Sequence, residues 1–399
     1  MNVLFLSLGK YWTINESEGY TDLLREFIHN GHKVYILSPT ERREGKPAQL
    51  IDEGSSRIIK VKTGNIQKTS FIEKGISTLL IEPQFKRAVK EHLKDVRFDL
   101  VLYPTPPITF VNVVKYVKKR DGAKTYLLLK DIFPQNAVDI GLMPKTGLKG
   151  LLYKYFRAKE KKLYAVSDKI GCMSPANAAY VLKHNPEVSP ERVEVCPNVI
   201  EIVDKSVTPD TRRAIREKYG IPLDKTVFAY GGNLGRPQGI GYMIRCLEEA
   251  KACPDAHFLI AGDGTDYPLL ENYMKEKRPS HVTLFKRLPK DEYDTLIAAC
   301  DVGLIFLDHR FTIPNFPSRM LGYMQARLPI LACTDPNTDI GDIISQGGYG
   351  WKCESNDPKA FASLVSDILS ADKASMGAAG YDYLQKHYTT SVAYDIIMK

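Results

Sequence analysis

Val227-Phe228-Ala229-Tyr230, followed by Gly231-Gly232-Asn233-Leu234-Gly235-Arg236-Pro237-Gln238-Gly239, is the stretch on which the fold turns. The four apolar residues read as a buried strand, the glycines as a tight turn, and Gly241–Lys251 behind them as a helix. Strand, glycine turn and helix open a βαβ unit of a parallel sheet. Glycines let backbone N–H groups approach phosphate oxygens, the helix start adds the positive end of a dipole, and Arg236 adds a cation. The spacing is not G-x-G-x-x-G, which weakens a dinucleotide reading, and the G-K-[ST] ending of a P-loop is absent. Such turns also form for steric reasons alone, and both readings stand at this point.

The pattern extends in both directions. Downstream, His257–Ala261 reads as a strand ending in Gly262-Asp263-Gly264, followed by strands Val282–Phe285, Val302–Phe306 and Pro329–Ala332. Upstream, strands Asn2–Ser7, Lys33–Ser38, Leu100–Tyr103, Thr125–Leu129, Lys169–Met173 and Arg192–Cys196 alternate with helical patterns at Thr21–Asn30, Glu82–Leu93 and Thr109–Arg120. Polar Lys205–Lys218, ending at Tyr219-Gly220-Ile221-Pro222, reads as a linker-like passage. A chain of 399 residues accommodates two domains. The expectation is α/β: two doubly wound, Rossmann-like domains, residues 1–200 and 201–385, with ligands beyond the carboxyl ends of the strands in a cleft between them.

Met1–Leu8 is apolar but lacks a basic leader and a small-residue cleavage site, so it reads as a first buried strand. No apolar run reaches the roughly 18 residues of a membrane span. The seven cysteines include no C-x-x-C pair, which favours reduced, buried thiols in a cytoplasmic protein over disulfides or zinc. Residues 1–200 hold 32 Lys+Arg against 21 Asp+Glu, a balance of +11, whereas the rest hold 23 against 26, or −3. A basic first half points to an anionic partner. The densest stretch, residues 145–169, interleaves Lys154, Arg157, Lys159, Lys161 and Lys162 with Leu151, Leu152, Tyr153, Tyr155 and Phe156. It is either a basic amphipathic helix on an anionic membrane surface or a packed helix with a solvated face. Nucleic acid is not expected, because no binding motif accompanies the charge.

A second cluster is Asn315-Phe316-Pro317-Ser318-Arg319-Met320. Pro317 and Ser318 suit a helix start, so N–H groups near Ser318–Met320 should face a ligand. Arg319 in that first turn opposes the helix dipole, a placement that an anion would justify. Lys130 and Asp131 follow strand Thr125–Leu129, either as a site pair or as a structural ion pair.

The order of these segments resembles that of the GT-B retaining glycosyltransferases of group 1, over nearly the whole chain. The resemblance rests on Gly31-His32-Lys33-Val34, Cys196-Pro197-Asn198-Val199, the Gly231–Gly239 turn, Ala261-Gly262-Asp263-Gly264, Cys300-Asp301-Val302-Gly303 and Pro317-Ser318-Arg319-Met320. Tyr103-Pro104-Thr105-Pro106-Pro107, Lys130-Asp131-Ile132-Phe133-Pro134 and Gly232-Asn233-Leu234-Gly235 are similar to the bacterial branch that adds N-acetylated amino sugars, such as N-acetylfucosamine, to lipid-linked surface-polysaccharide precursors. The resemblance implies an acceptor domain over residues 1–200 and a donor domain over 201–385, with residues 386–399 crossing back to the first. It implies a nucleotide-sugar donor, UDP-linked by expectation, and a lipid-linked saccharide acceptor of capsule or O-antigen type. The enzyme would be cytoplasmic and peripheral on the inner membrane face.

The residues implied for catalysis are Lys130, Asp131, Arg236 and Arg319, the two arginines stabilising the departing diphosphate. Donor contacts are implied at Gly232, Asn233, Leu234, Gly235, Gln238, Gly262, Asp263, Gly264, Pro317, Ser318 and Met320, with the nucleobase near Lys286 and Arg287. Asn15, Glu16, Glu18 and Gly19 are implied on the acceptor side. No Asp-x-Asp occurs, and no metal or cofactor is expected. Three departures stand out. Asn233 and Gln238 take the places of an arginine and a lysine that usually flank the turn. Pro314 and Gly322 take those of two glutamates eight residues apart, the second of which usually binds ribose. Lys130 replaces a histidine before Asp131. Two alternatives follow: a nucleotide-sugar epimerase of the same fold, which would turn over its sugar without acceptor, or a non-catalytic partner subunit, which would bind no donor alone.

Overall fold

The computed structural model describes residues 1–17, 19–66, 71–147 and 150–399. The chain forms two compact units: Met1–Glu201 together with Thr390–Lys399, and Ile202–Thr389. Among the described residues no helix is long and apolar enough to cross a membrane.

Among the described residues, unit 1 is built on eight strands: β1 (Asn2–Leu6), β2 (Lys33–Glu41), β3 (Gln49–Asp52), β4 (Ser56–Thr63), β5 (Leu100–Pro104), β6 (Lys124–Leu129), β7 (Lys169–Cys172) and β8 (Val193–Val195). Their order is β3-β4-β2-β1-β5-β6-β7-β8, parallel except for β3, which runs antiparallel to β4 at the edge. The apolar runs form the central strands, buried along nearly their whole length. β3 and β4 were not legible, because Arg57, Lys60 and Lys62 interrupt the apolar pattern of β4. Lys60 is nevertheless fully buried, donating to Tyr11 O and Ser38 Oγ, both at 2.9 Å. The helix expected at Glu82–Leu93 begins earlier and spans Phe71–His92, with Pro83 inside it. Buried Glu82 ties this helix to its neighbours, accepting from Asn112 Nδ2 at 2.8 Å and Lys159 Nζ at 3.3 Å. The last helix, Thr390–Met398, packs on helix Gly19–His29. There Tyr394 meets Phe27 edge-on at 4.9 Å, and Thr390 Oγ1 donates to Glu26 at 2.8 Å.

Unit 2 holds six parallel strands: β9 (Thr226–Asn233), β10 (Ala256–Asp263), β11 (Val282–Phe285), β12 (Val302–Phe306), β13 (Ile330–Thr334) and β14 (Gly350–Glu354). Their order, β11-β10-β9-β12-β13-β14, is that of a doubly wound sheet whose first and fourth strands are neighbours. The passage read as linker-like is instead the helix Pro209–Tyr219, capped by Thr208 and ended by Gly220 at φ 65°. Its polarity concealed its docking, which is ionic. Asp301, just before β12, accepts from Arg216 Nη2 at 2.6 Å, Arg212 Nη1 at 2.7 Å and the Val227 N–H at 2.7 Å. One carboxylate thus ties the helix to the start of β9. Asp301→Ala strands the buried Arg216 and is expected to cost about 3 kcal/mol. Urea unfolding of wild type and variant checks this; a change below about 1 kcal/mol would show the cluster to be incidental.

Candidate active site

In unit 2, β9 and β12 pair only at Phe228–Val302 and Ala229–Gly303. Beyond these residues β9 follows β10 in register to Asn233, and β12 follows β13 to Phe306. The central strands part at their carboxyl ends, where the strand order reverses and such sheets take their ligands. One side chain spans the gap: Tyr323 Oη accepts the Gly231 N–H at 3.2 Å and donates to Leu304 O at 3.1 Å. The close packing needs glycines. A Cβ on Gly303 would lie 2.4 Å from the Tyr323 ring, and one on Gly231 would lie 1.9 Å from Tyr293 Oη.

Arg319 stands four residues before Tyr323 in helix Arg319–Gln325, one turn away on the same face. Its Nη1 donates to Gly231 O at 2.9 Å, and its guanidinium lies 4.4 Å from the centre of the Tyr230 ring. Gly232, at φ 119°, passes beneath it; a Cβ there would sit 3.6 Å from the guanidinium. Arg319 is half-buried and, among the described residues, forms no ion pair. Its charge rests on a carbonyl and an aromatic face.

The glycine-rich segment is less open than expected, because Gly231, Gly232 and Asn233 belong to β9. Leu234 is fully buried, its N–H bonded to Asp263 O at 3.0 Å and its carbonyl to the Asp266 N–H at 2.9 Å. Gln238 is buried and turned inward, its Oε1 accepting from Asn233 Nδ2 at 3.0 Å and the Gly235 N–H at 3.2 Å. The Leu234 and Gly235 N–H groups are therefore spent within the protein. Gly262 and Gly264 answer to packing: Cβ atoms there would fall 1.9 Å from Gly232 O and 2.4 Å from Leu234 O. The Asp263 carboxylate accepts the Gly264 N–H at 2.9 Å. Arg236 is exposed at the start of the single 3₁₀ turn Arg236–Gln238, with no ion pair among the described residues.

At the second cluster, Ser318 is exposed and Pro317 half-exposed. Met320 is wholly buried and its N–H donates to Pro317 O at 3.3 Å, so of the N–H groups expected to face a ligand near Ser318–Met320 this one is already bonded. Buried Asp335 shapes the approach to this helix. It accepts from Thr338 Oγ1 at 2.8 Å and the Asn337 N–H at 2.9 Å, while Thr338 Oγ1 accepts the Asn315 N–H at 3.0 Å. Burial pushes the Asp335 carboxyl up to about 6. Pro314 is buried, whereas a Cβ on Gly322 would meet nothing within 4 Å. Arg287 is exposed after edge strand β11, separated from β9 by β10.

In unit 1, Lys130 and Asp131 follow β6 but do not pair, against the ion-pair expectation. Lys130 Nζ reaches Pro197 O at 3.1 Å and Cys196 O at 3.4 Å, and burial lowers its pKa. The Asp131 carboxylate accepts from Asn136 Nδ2 at 2.6 Å. Burial pushes it up to about 6, against the hydrogen bonds from the Ile132 N–H and Asn136. Thr105 Oγ1 clamps both residues, accepting the Lys130 and Asp131 N–H groups at 3.1 and 3.2 Å and donating to Asp131 O at 2.9 Å. Asn15 is exposed, its N–H bonded to Thr13 Oγ1 at 3.2 Å; Glu16 O accepts from Arg25 Nη1 at 3.2 Å. Gly19 opens helix Gly19–His29, where a Cβ would come 3.1 Å from Val199 O. Glu18 lies outside the described residues.

Residues 211–382 match the family model described as glycosyl transferases group 1, and residues 19–203 that of glycosyltransferase family 4. The two matches run through both units. The chain is a group 1 glycosyltransferase. The probable glycosyltransferase WbjE of Pseudomonas aeruginosa is 28% identical to it over 331 residues, 82% of this chain and 79% of that protein. The putative colanic acid biosynthesis glycosyl transferase WcaI of Escherichia coli K12 is 24% identical over 277 residues, 68% of this chain and 66% of that protein. The crystal structure of HepE from Anabaena in complex with UDP and glucose has 12% sequence identity. It superposes with a TM-score of 0.70, covering 100% of this chain and 98% of that one, which shows the GT-B fold of two Rossmann-like sheets.

In this group 1 glycosyltransferase, the sequence pointed to Arg319 but not to the phenols around it. Tyr230 reads only as part of the buried strand Val227–Tyr230, and Tyr293 and Tyr323 carry no motif of their own. The available signal was the i, i+4 spacing of Arg319 and Tyr323 in a helix aimed at a glycine pair. Asp131 gives a pH test. Its proton is held more tightly in the folded chain than in the unfolded one, so its contribution to stability is greatest below about pH 4 and is lost as pH rises through about 6. The Asp131→Asn variant should therefore gain stability relative to wild type between pH 4 and 7. Parallel denaturation curves would refute the buried-carboxylate assignment.

Proposed function

We propose that this enzyme is a retaining, metal-independent glycosyltransferase. It moves a sugar, an N-acetylated amino sugar on the motifs, from a UDP-linked donor on unit 2 to a lipid-linked saccharide acceptor bound by unit 1. The observation that carries the donor assignment is Arg319, a half-buried cation at the parting of β9 and β12 with no carboxylate partner among the described residues. A departing nucleoside diphosphate supplies the missing anion. As the bond from the anomeric carbon to phosphate breaks, negative charge grows on the leaving oxygen, and a fixed guanidinium stabilises it without reorganising. The acceptor hydroxyl attacks from the face the diphosphate leaves, and its proton passes to the departing phosphate. Arg236, exposed on the next turn, is the second cation. Support for UDP comes from the HepE complex, and for polysaccharide synthesis from the name of WcaI. Titration with UDP-, GDP- and dTDP-sugars tests the proposal. Arg319→Met should lower kcat/KM by about 100-fold or more with the fold intact. Absence of binding by every donor would sink the transferase mechanism and favour the partner-subunit alternative.

The acceptor side has its own support. Helix Gly150–Val166 exposes Leu151 (61%), Leu152 (41%) and Tyr155 (40%) beside exposed Lys154 and Lys162, and Leu142 is also exposed. Arg157, Lys159 and Lys161 are paired with Glu160, Glu82 and Glu187, which leaves Lys154 and Lys162 as the lysines of this helix outside ion pairs among the described residues. Apolar side chains flanked by lysines suit an anionic lipid surface. Leu151→Ser/Leu152→Ser/Lys154→Glu should abolish co-sedimentation with phosphatidylglycerol vesicles. Unchanged sedimentation would remove the membrane from the proposal.

A further inference from the structure

We propose that Tyr323 is a positioning residue for the donor diphosphate, acting through Gly231 on Arg319. This rests on the donor reading of Arg319. Beyond Ala229 and Gly303 no direct ladder bonds join β9 to β12, although both strands continue. The Tyr323 hydroxyl stands in for one, accepting the Gly231 N–H and donating to Leu304 O. Buried backbone groups require partners, so this hydroxyl holds the strands apart and satisfied at once. Gly231 is thereby pinned on both sides: its N–H by Tyr323, and its carbonyl by Arg319 at 2.9 Å. Glycine is otherwise the residue with the freest backbone. The β10 ladder holds Gly231 on one edge, and the Tyr323 hydroxyl fixes the edge facing β12, where the Gly231 carbonyl sets the aim of the guanidinium. The Tyr323 ring is fixed in turn by Gly303, which leaves no room for a Cβ beside it. Arg319 and Tyr323 lie one turn apart, so one short helix delivers both the cation and the strut that sets its anchor.

The test uses the full-length protein, with UDP and UMP as probes by calorimetry. Tyr323→Phe keeps the ring and removes only the hydroxyl. It should weaken UDP about tenfold and UMP less than about twofold, because UMP lacks the second phosphate. In an Arg319→Met background the same change should add less than about twofold, since a residue acting through Arg319 has nothing left to act upon. Equal losses for UDP and UMP, or losses that add in the double variant, overturn the positioning role and leave the donor site standing. A wild type that binds neither probe overturns the donor reading and this proposal together. Should Tyr323→Phe not fold, amide exchange in the wild type decides: Gly231 is expected to be protected and slower still with UDP, and unprotected exchange rejects the strut.

Discussion

A parallel sheet that winds in two directions from its centre must separate two neighbouring strands at their carboxyl ends, because their following connections leave for opposite faces. In unit 2 that separation falls between β9 and β12, after two matched pairs, Phe228–Val302 and Ala229–Gly303. Most of the site follows from it. The separation leaves Gly231 and Leu304 with backbone groups to satisfy, and it admits Tyr323 to satisfy them. The packing of Tyr293 and Tyr323 demands glycine at 231 and 303. The bare backbone of Gly231 and Gly232 then gives a guanidinium somewhere to lie.

Several cations of this chain differ in their partners. Arg212 and Arg216 meet Asp301, while Arg157, Lys159 and Lys161 meet glutamates; these charges hold elements together. Arg319 and Lys130 rest instead on carbonyls. A carbonyl orients a cation without neutralising it, so the charge stays available to an incoming anion. A carboxylate in the same place would cancel that charge and raise the energy of a phosphate beside it. The basic balance of residues 1–200 carries less information than this local distinction, since many of those charges are spent in pairs.

The central strands were legible because a strand covered on both faces is a continuous apolar run, as in Val227–Tyr230 and Val302–Phe306. The edges were not: β4 contains three cations, and the helix Pro209–Tyr219 is polar because ion pairs dock it. At the site, the glycine-rich segment is legible, but the structure shows two of its N–H groups, those of Leu234 and Gly235, already bonded within the protein. Spacing alone cannot tell a turn that offers N–H groups to phosphate from one whose N–H groups are taken by Asp263 O and Gln238. The same holds for Met320, a core residue inside a motif.

By itself the sequence determined the two doubly wound layers, the family and the candidacy of Arg319, because periodicity and motif order are properties of the chain read in one dimension. The tertiary structure decided which groups are spent and which remain free. It turned Gln238 inward, kept Lys130 from Asp131, and brought Tyr323 across 92 residues of sequence to Gly231. Hydrogen-bond satisfaction is settled between segments distant in the chain, so no local pattern announces it.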